Sequence, residues 1–162
     1  MSSESFGLAT RASMVRARQG LGSAEQVIKF LADQAIEAGF ATEEFTTAIL
    51  AREQEYPTGL PTSIPVAIPH IHDGCLRSFL ACATLTEPVQ FASMEGDDEP
   101  LEVPIVFCFG ITEPKQQAAV LRQLAVLFQN AEYLSQLKAA ETDEELLAIL
   151  AERLGSGIVV LD

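Results

Sequence analysis

The chain has 162 residues, 48% of them hydrophobic and 20% charged, which fits one globular domain and excludes a disordered chain. Its 23 acidic residues outnumber 10 basic ones, and the net charge of −13 argues against nucleic acid or an anionic membrane as a general partner. Three cysteines (Cys75, Cys82, Cys108) form no C-x-x-C pair, no apolar leader opens the chain, and no run approaches the roughly 18 residues of a membrane span, so a cytoplasmic protein is expected.

Residues 1–20 are weakly patterned and hold Arg11, Arg16 and Arg18 beside a single acid, Glu4. A short strand over 13–18 is the alternative to a loose N-terminal arm, which is the expectation. Ser23 opens a helix, with Gln26 three residues on as in a capping box. Val27, Ile28, Leu31, Ala35 and Ile36 recur at helical spacing, and Gly39 marks the stop. A second helix starts near Thr42, with Glu43 and Glu44 in the first turn, where carboxylates suit the dipole. Phe45, Ala48, Ile49 and Arg52 line one side, and Pro57 ends it by disfavouring helical geometry at Tyr56.

After a loop over 60–64, the apolar run 65–69 reads as a short strand. Pro69 cannot donate to a ladder, so this strand should stop there or follow an edge, leaving His70 just past its end. Residues 79–85 read as a strand, Glu87-Pro88 as a turn, 89–91 as a short strand and 94–99 as an acidic loop. The most apolar run, 103–111, has the character of a central strand with Pro104 near its start. Thr112-Glu113-Pro114 starts a helix to about Gln129, with Val120, Leu121, Leu124, Leu127 and Phe128 as its buried stripe. Tyr133, Leu134 and Leu137 mark a short helix. Thr142 and Glu145 then form a capping box for a last helix, which Leu146, Leu147, Leu150 and Leu154 carry to Gly155. The tail reads as an edge strand or a docking segment. This order predicts a single-domain α/β sandwich on a mixed sheet, with an arm over 1–20, the domain over 21–155 and a tail over 156–162.

His70 and His72 are the only histidines. The frame around His70 allows three roles: an ordinary loop residue, a metal ligand, or a nucleophile. A metal reading would use His70, His72, Asp73 and Cys75, yet no further histidine completes a tetrahedral set. The sequence contains no G-x-S-x-G elbow, P-loop or G-x-G-x-x-G cradle. What remains for a lone histidine is attack on phosphorus, since a neutral imidazole is a good nucleophile near neutral pH. Such a site needs donors around the phosphoryl oxygens, and Arg52, Thr58, Gln116 and Gln117 are available.

The segments A-R-E-x-E-Y-P-T-G (51–59) and V-A-I-P-H (66–70) occur in that order. Together they resemble the enzyme IIA domain of the bacterial sugar phosphotransferase system, fructose–mannitol type. The stretch E-P-K-Q-Q (113–117) followed by V-L-R-Q-L (120–124) most resembles its galactitol-specific members. The resemblance covers residues 23–154 and implies a mixed sheet with helices on both faces. It implies that His70 accepts a phosphoryl group, through Nε2, from the histidine-containing phosphocarrier protein. His70 would then pass it to a cysteine of enzyme IIB, for uptake of galactitol or a related sugar alcohol. Arg52 would order the site or hold phosphoryl oxygens, Glu53 would partner a nearby donor, and Thr58 and Gly59 would form the turn leading back to the site. Mannitol-type members have a second histidine after the central strand. Here Gln116 and Gln117 stand in that region, with Gln117 the better candidate for its role. His72 lies outside the motif and reads as a solvated loop residue. No cofactor is implied. A regulatory enzyme IIA phosphorylated on His70, or a non-catalytic binding module on the same fold, are the alternatives. Leu60, Ile64, Ile71 and Phe91 are the expected apolar docking rim.

Overall fold

The computed structural model describes residues 7–96 and 99–161. The expectations for residues 1–6 of the arm, 97–98 of the acidic loop and Asp162 of the tail lie outside the described residues. The described chain forms β1 (Leu8–Arg11), β2 (Val15–Gln19), α1 (Ala24–Glu37), α2 (Glu44–Glu55), β3 (Gly59–Leu60), β4 (Val66–Ala67) and β5 (His70–Ile71). These are followed by β6 (Phe79–Phe91), β7 (Leu101–Gly110), α3 (Pro114–Phe128), α4 (Ala131–Ala139), α5 (Asp143–Leu154) and β8 (Ile158–Leu161).

The strands make one mixed sheet in the order β3-β4-β7-β6-β1-β8, with β2 also on β6 and β5 also on β7. Its spine is the antiparallel pair of β6 and β7. Strands β1 and β2 run parallel to β6, β4 and β5 parallel to β7, and β8 parallel to β1. Alternate residues of β7 feed two separate cores. Ile105, Phe107 and Phe109 pack with Val120, Leu124 and Phe128 of α3, Leu134 of α4 and Leu150 of α5. Val106 and Cys108 face Val27, Ile28 and Leu31 of α1 and Phe45 and Ile49 of α2. The helices therefore cover both faces, as expected, and each fully buried aliphatic or aromatic side chain contributes on the order of 1.5–3 kcal/mol.

The helix ends follow their sequence signals. Ser23 Oγ accepts the Gln26 N–H at 3.1 Å, while the Gln26 side chain accepts from Gly22 N–H and not from Ser23. At the other end of α1, Gly39 (φ +86°) allows a Schellman closure, with Phe40 N–H donating to Ala35 O and Gly39 N–H to Ile36 O. Both halves of the Thr142–Glu145 capping box are present on α5. Thr142→Ala should cost about 1 kcal/mol, visible as a lowered urea midpoint with an unchanged slope.

Three expectations need correction. The loose arm is, over its described part, two strands of the sheet. Leu8, Ala9, Thr10, Val15 and Ala17 are buried there. The arginines tie this segment to the helices: Arg16 pairs with Asp143 at 3.1 Å, Arg18 Nε donates to Ala140 O and Arg11 Nε to Ala38 O. The predicted turn at Glu87-Pro88 and the two strands beside it are one strand, β6, with an irregularity. Its pairing slips between Thr84↔Ile105 and Val89↔Val103, so extra β6 residues bulge out opposite Pro104. Pro104 thus lacks a donor where the ladder is already open, and the face presented by β7 switches there. Third, the strand stops before Pro69 as expected, but His70 does not lie past its end, because the chain resumes as β5 on β7. Strands β4 and β5 keep one register against β7, Ala67 opposite Val106 and His70 opposite Phe109, so His70 lies in a resumed strand. The tail is the edge strand β8 on β1.

Candidate functional site

His70 is 9% exposed, and its ring lies flat against that of Phe109, with centroids 4.9 Å apart and planes 6° apart. Its Nδ1 stands 2.7 Å from the carbonyl oxygen of Ile68. A carbonyl can only accept, so Nδ1 holds the proton and the neutral ring keeps its lone pair on Nε2. Burial holds the His70 pKa below the ordinary 6.5. The Ile68 hydrogen bond works in the opposite direction, and the charge of Arg52 adds to the lowering. The result is an imidazole that takes up a proton less readily than a free one.

Arg52 stands in the last turn of α2, partly buried, with its guanidinium 4.8 Å from the centre of the Tyr56 ring. Among the described residues it has no carboxylate partner, so its donors are available. The next residue, Glu53, faces the turn that follows. Its Oε2 accepts the Thr58 N–H at 2.9 Å, and its Oε1 lies 2.8 Å from the Thr58 hydroxyl that donates to it. Burial pushes the Glu53 carboxyl up to about 7, against the two Thr58 hydrogen bonds. Thr58 is itself buried, and its carbonyl accepts the Ile68 N–H at 3.2 Å. Gly59 donates to Ala92 O, and a Cβ at Gly59 would fall 2.6 Å from that oxygen, so the backbone approach there requires glycine.

These two titrations act oppositely on stability. The His70 pKa is lower in the folded protein, so the unfolded chain binds its proton first and stability falls as pH drops through 6.5. The Glu53 carboxyl is raised from 4.5 to about 7, so its contribution is present at acidic pH and is lost as pH rises through that range. Glu53→Gln should therefore gain stability relative to wild type between pH 5 and pH 8, by up to about 2 kcal/mol, in parallel urea titrations.

Gln116 and Gln117 lie in the first turn of α3, partly buried, and neither side chain makes a hydrogen bond among the described residues. Strand β7 ends at Gly110, one residue beyond the partner of His70, so α3 begins at the His70 end of the sheet. No hydrogen bond joins either amide to His70. The residues of the metal reading diverge. His72 is exposed and pairs with Asp73 at 3.1 Å, His70 Nδ1 is spent on Ile68, and Cys75 Sγ donates to Ile71 O. Among the described residues no three His, Cys, Asp or Glu side chains form a metal-binding group. The rim also changes. Leu60, Ile64 and Ile71 are partly buried, but Phe91 is 1% exposed, because odd-numbered β6 residues face the core of α1 and α2. Tyr56 and Met94 are the exposed apolar side chains near the 56–59 turn, with Met94 N–H donating to Gly59 O. Reading the sequence by motifs missed Phe109 and the Ile68 carbonyl. The matching apolar strings 66–71 and 105–110 were the available signal, since their parallel alignment places His70 against Phe109.

Fold and site together define an α/β domain with one buried imidazole, its Nδ1 proton fixed on a backbone carbonyl and its charged form disfavoured by burial and by Arg52. The sequence model of the family described as "Phosphoenolpyruvate-dependent sugar phosphotransferase system, EIIA 2" matches residues 10–153, and the chain belongs to that family. The fructose-like EIIA component of the phosphotransferase system of Escherichia coli is similar to it, 29% identical over 143 residues that span 85% of this chain and 91% of that protein. The nitrogen regulatory protein of Pseudomonas aeruginosa is 28% identical, over 79% of this chain and 80% of its own. The complex of the mannitol enzyme IIA with phosphorylated enzyme IIB from Escherichia coli shares the fold, at 22% identity and a TM-score of 0.65, over 94% of this chain and 97% of the other. No described helix is long and apolar enough to cross a membrane.

Proposed function

We propose that this domain is a cytoplasmic phosphocarrier in which His70 Nε2 takes a phosphoryl group from the phosphohistidine of the phosphocarrier protein. His70 then passes it to a cysteine of enzyme IIB, for uptake of galactitol or a related sugar alcohol. The observation that carries the reading is the 2.7 Å bond from His70 Nδ1–H to Ile68 O, which leaves Nε2 as the nucleophile. In the transfer, Nε2–P forms as the donor's N–P bond breaks, and the donor ring leaves with the electron pair. The phosphorylated His70 ring keeps its Nδ1 proton and is cationic. The Ile68 carbonyl stabilises that charge, and the ring leaves as neutral imidazole when the thiolate of IIB attacks phosphorus. Arg52 neutralises the phosphoryl oxygens, and Gln117, with Gln116, supplies neutral donors where some relatives have histidine. Glu53, Thr58 and Gly59 form the supporting turn.

The similarity in fold to the mannitol IIA–IIB complex supports the partner reading. A regulatory enzyme IIA phosphorylated on the same atom is the second reading, favoured by the similarity to the nitrogen regulatory protein. Incubation with phosphoenolpyruvate, enzyme I and the phosphocarrier protein should add one acid-labile phosphate per chain to wild type and none to His70→Ala. Equal labelling of the two proteins, or none of wild type, refutes the proposal. Passage of the label to an enzyme IIB separates transport from regulation.

A further inference from the structure

The carbonyl that sets the tautomer of His70 stands at a weak place in the sheet. Pro69 has no N–H, so the strand is interrupted between Ala67 and His70 and the Ile68-Pro69 peptide is not fixed by a regular ladder. The peptides on either side of it are pinned instead. Phe109 N–H donates to Pro69 O at 3.1 Å, and Ile68 N–H donates to Thr58 O at 3.2 Å. The second bond depends on where Thr58 sits. Thr58 is held by Gly59 N–H on Ala92 O and by Glu53, which takes both the Thr58 N–H and its hydroxyl. Hydrogen bonds joined through the backbones of Thr58 and Ile68 thus link the Glu53 carboxyl to His70 Nδ1.

We infer that Glu53 is a positioning residue for phosphoryl transfer: through Thr58 and Ile68 it holds the acceptor of the His70 Nδ1 proton in place, and so keeps Nε2 the nucleophilic nitrogen. The Glu53 hydrogen bonds go to Thr58 and that of His70 goes to Ile68, so none joins the two side chains. Glu53 fixes the geometry of a carbonyl whose displacement would free the ring to flip or to change tautomer, either of which turns the nucleophilic lone pair away from the donor. The carboxyl suits this task because one group holds both the N–H and the hydroxyl of one residue, a two-point hold that a hydroxyl cannot give. Thr58 is buried, so its N–H would be left unpaired without Glu53. The inference rests on the reading of His70 as phosphoryl acceptor, and its test has one arm that does not.

The experiment is 15N NMR of imidazole-labelled protein at pH 8, on wild type, Glu53→Ala, Glu53→Asp and Glu53→Gln. In wild type, the His70 nitrogens should report a single tautomer with the proton on Nδ1. Glu53→Ala should give a mixed signal as Nε2–H becomes populated. Glu53→Asp, which retains a carboxylate one methylene too short to span both Thr58 donors, should do the same and serves if the alanine variant does not fold. Glu53→Gln, whose amide can accept from the Thr58 N–H and donate to the Thr58 hydroxyl, should keep the wild-type pattern. In the second arm, the rate constant of phosphate uptake at saturating phosphocarrier protein should fall on the order of tenfold in Glu53→Asp, with little change in KM, and recover most of that loss in Glu53→Gln. A wild-type tautomer in folded Glu53→Ala or Glu53→Asp overturns the inference. A wild-type protein that takes up no phosphate overturns the functional reading alone, because the tautomer arm still decides the role of Glu53.

Discussion

Arg52→Met should slow phosphate uptake by about 100-fold while costing no more than about 1 kcal/mol of stability. Methionine keeps the apolar stem and removes the charge. The stability side is small because the guanidinium packs on the exposed Tyr56 ring and, among the described residues, makes no ion pair with a carboxylate. The kinetic side is large because no carboxylate among the described residues competes for those donors. The chain also has no histidine after the central strand, where Gln116 and Gln117 stand instead. Rapid-quench transfer from the labelled phosphocarrier protein measures the rate, and urea unfolding measures stability. The account also expects the His70 pKa to move up, toward 6.5, since the Arg52 charge contributes to its lowering. A rate within threefold of wild type would mean that the phosphoryl group is held by other groups.

The second large effect is at Phe109. This side chain is fully buried in the core under α3, α4 and α5, and its ring is the surface on which His70 lies. Phe109→Ala should cost about 3–5 kcal/mol, from the lost burial and the cavity left behind. Phe109→Leu should cost far less, yet it too removes the flat face. Both variants should therefore relax the desolvation of His70 and raise its pKa toward the ordinary value, by an amount unrelated to their difference in stability. An NMR titration of the imidazole protons beside equilibrium unfolding separates the two effects. If the His70 pKa stays fixed in Phe109→Leu, burial at that site comes from elsewhere.

What could be read from the sequence and what could not divides along local and non-local lines. Helix starts are local chemistry, and Ser23, Asn130 and Thr142 cap their helices through side-chain oxygens within three residues. The central strand is legible because a run of apolar β-branched and aromatic residues has few alternatives. The N-terminal strands are not legible. Leu8 to Thr10 are all buried, so no alternation marks them, and the partners of these strands lie far off in sequence, in β6 and, for β1, also in β8. The same reason hid Phe109, since its place under His70 follows from parallel register between strings 39 residues apart. The Pro57-Thr58-Gly59 turn was visible as a motif. That Glu53 closes on it, and that Thr58 reaches Ile68, needed coordinates. Phe91 was misplaced to the surface because the long β6 was cut in two at Pro88, which hid the parity that turns it inward.

The central claim is chemical: Nε2 of His70, and no other atom, receives the phosphoryl group. The measurement that tests it most directly is NMR of 15N-labelled protein phosphorylated by its donor, read for one-bond coupling between phosphorus and nitrogen. The account predicts coupling to His70 Nε2, with Nδ1 still protonated and bonded to Ile68 O. Coupling to Nδ1, to His72, or to no imidazole nitrogen would contradict it.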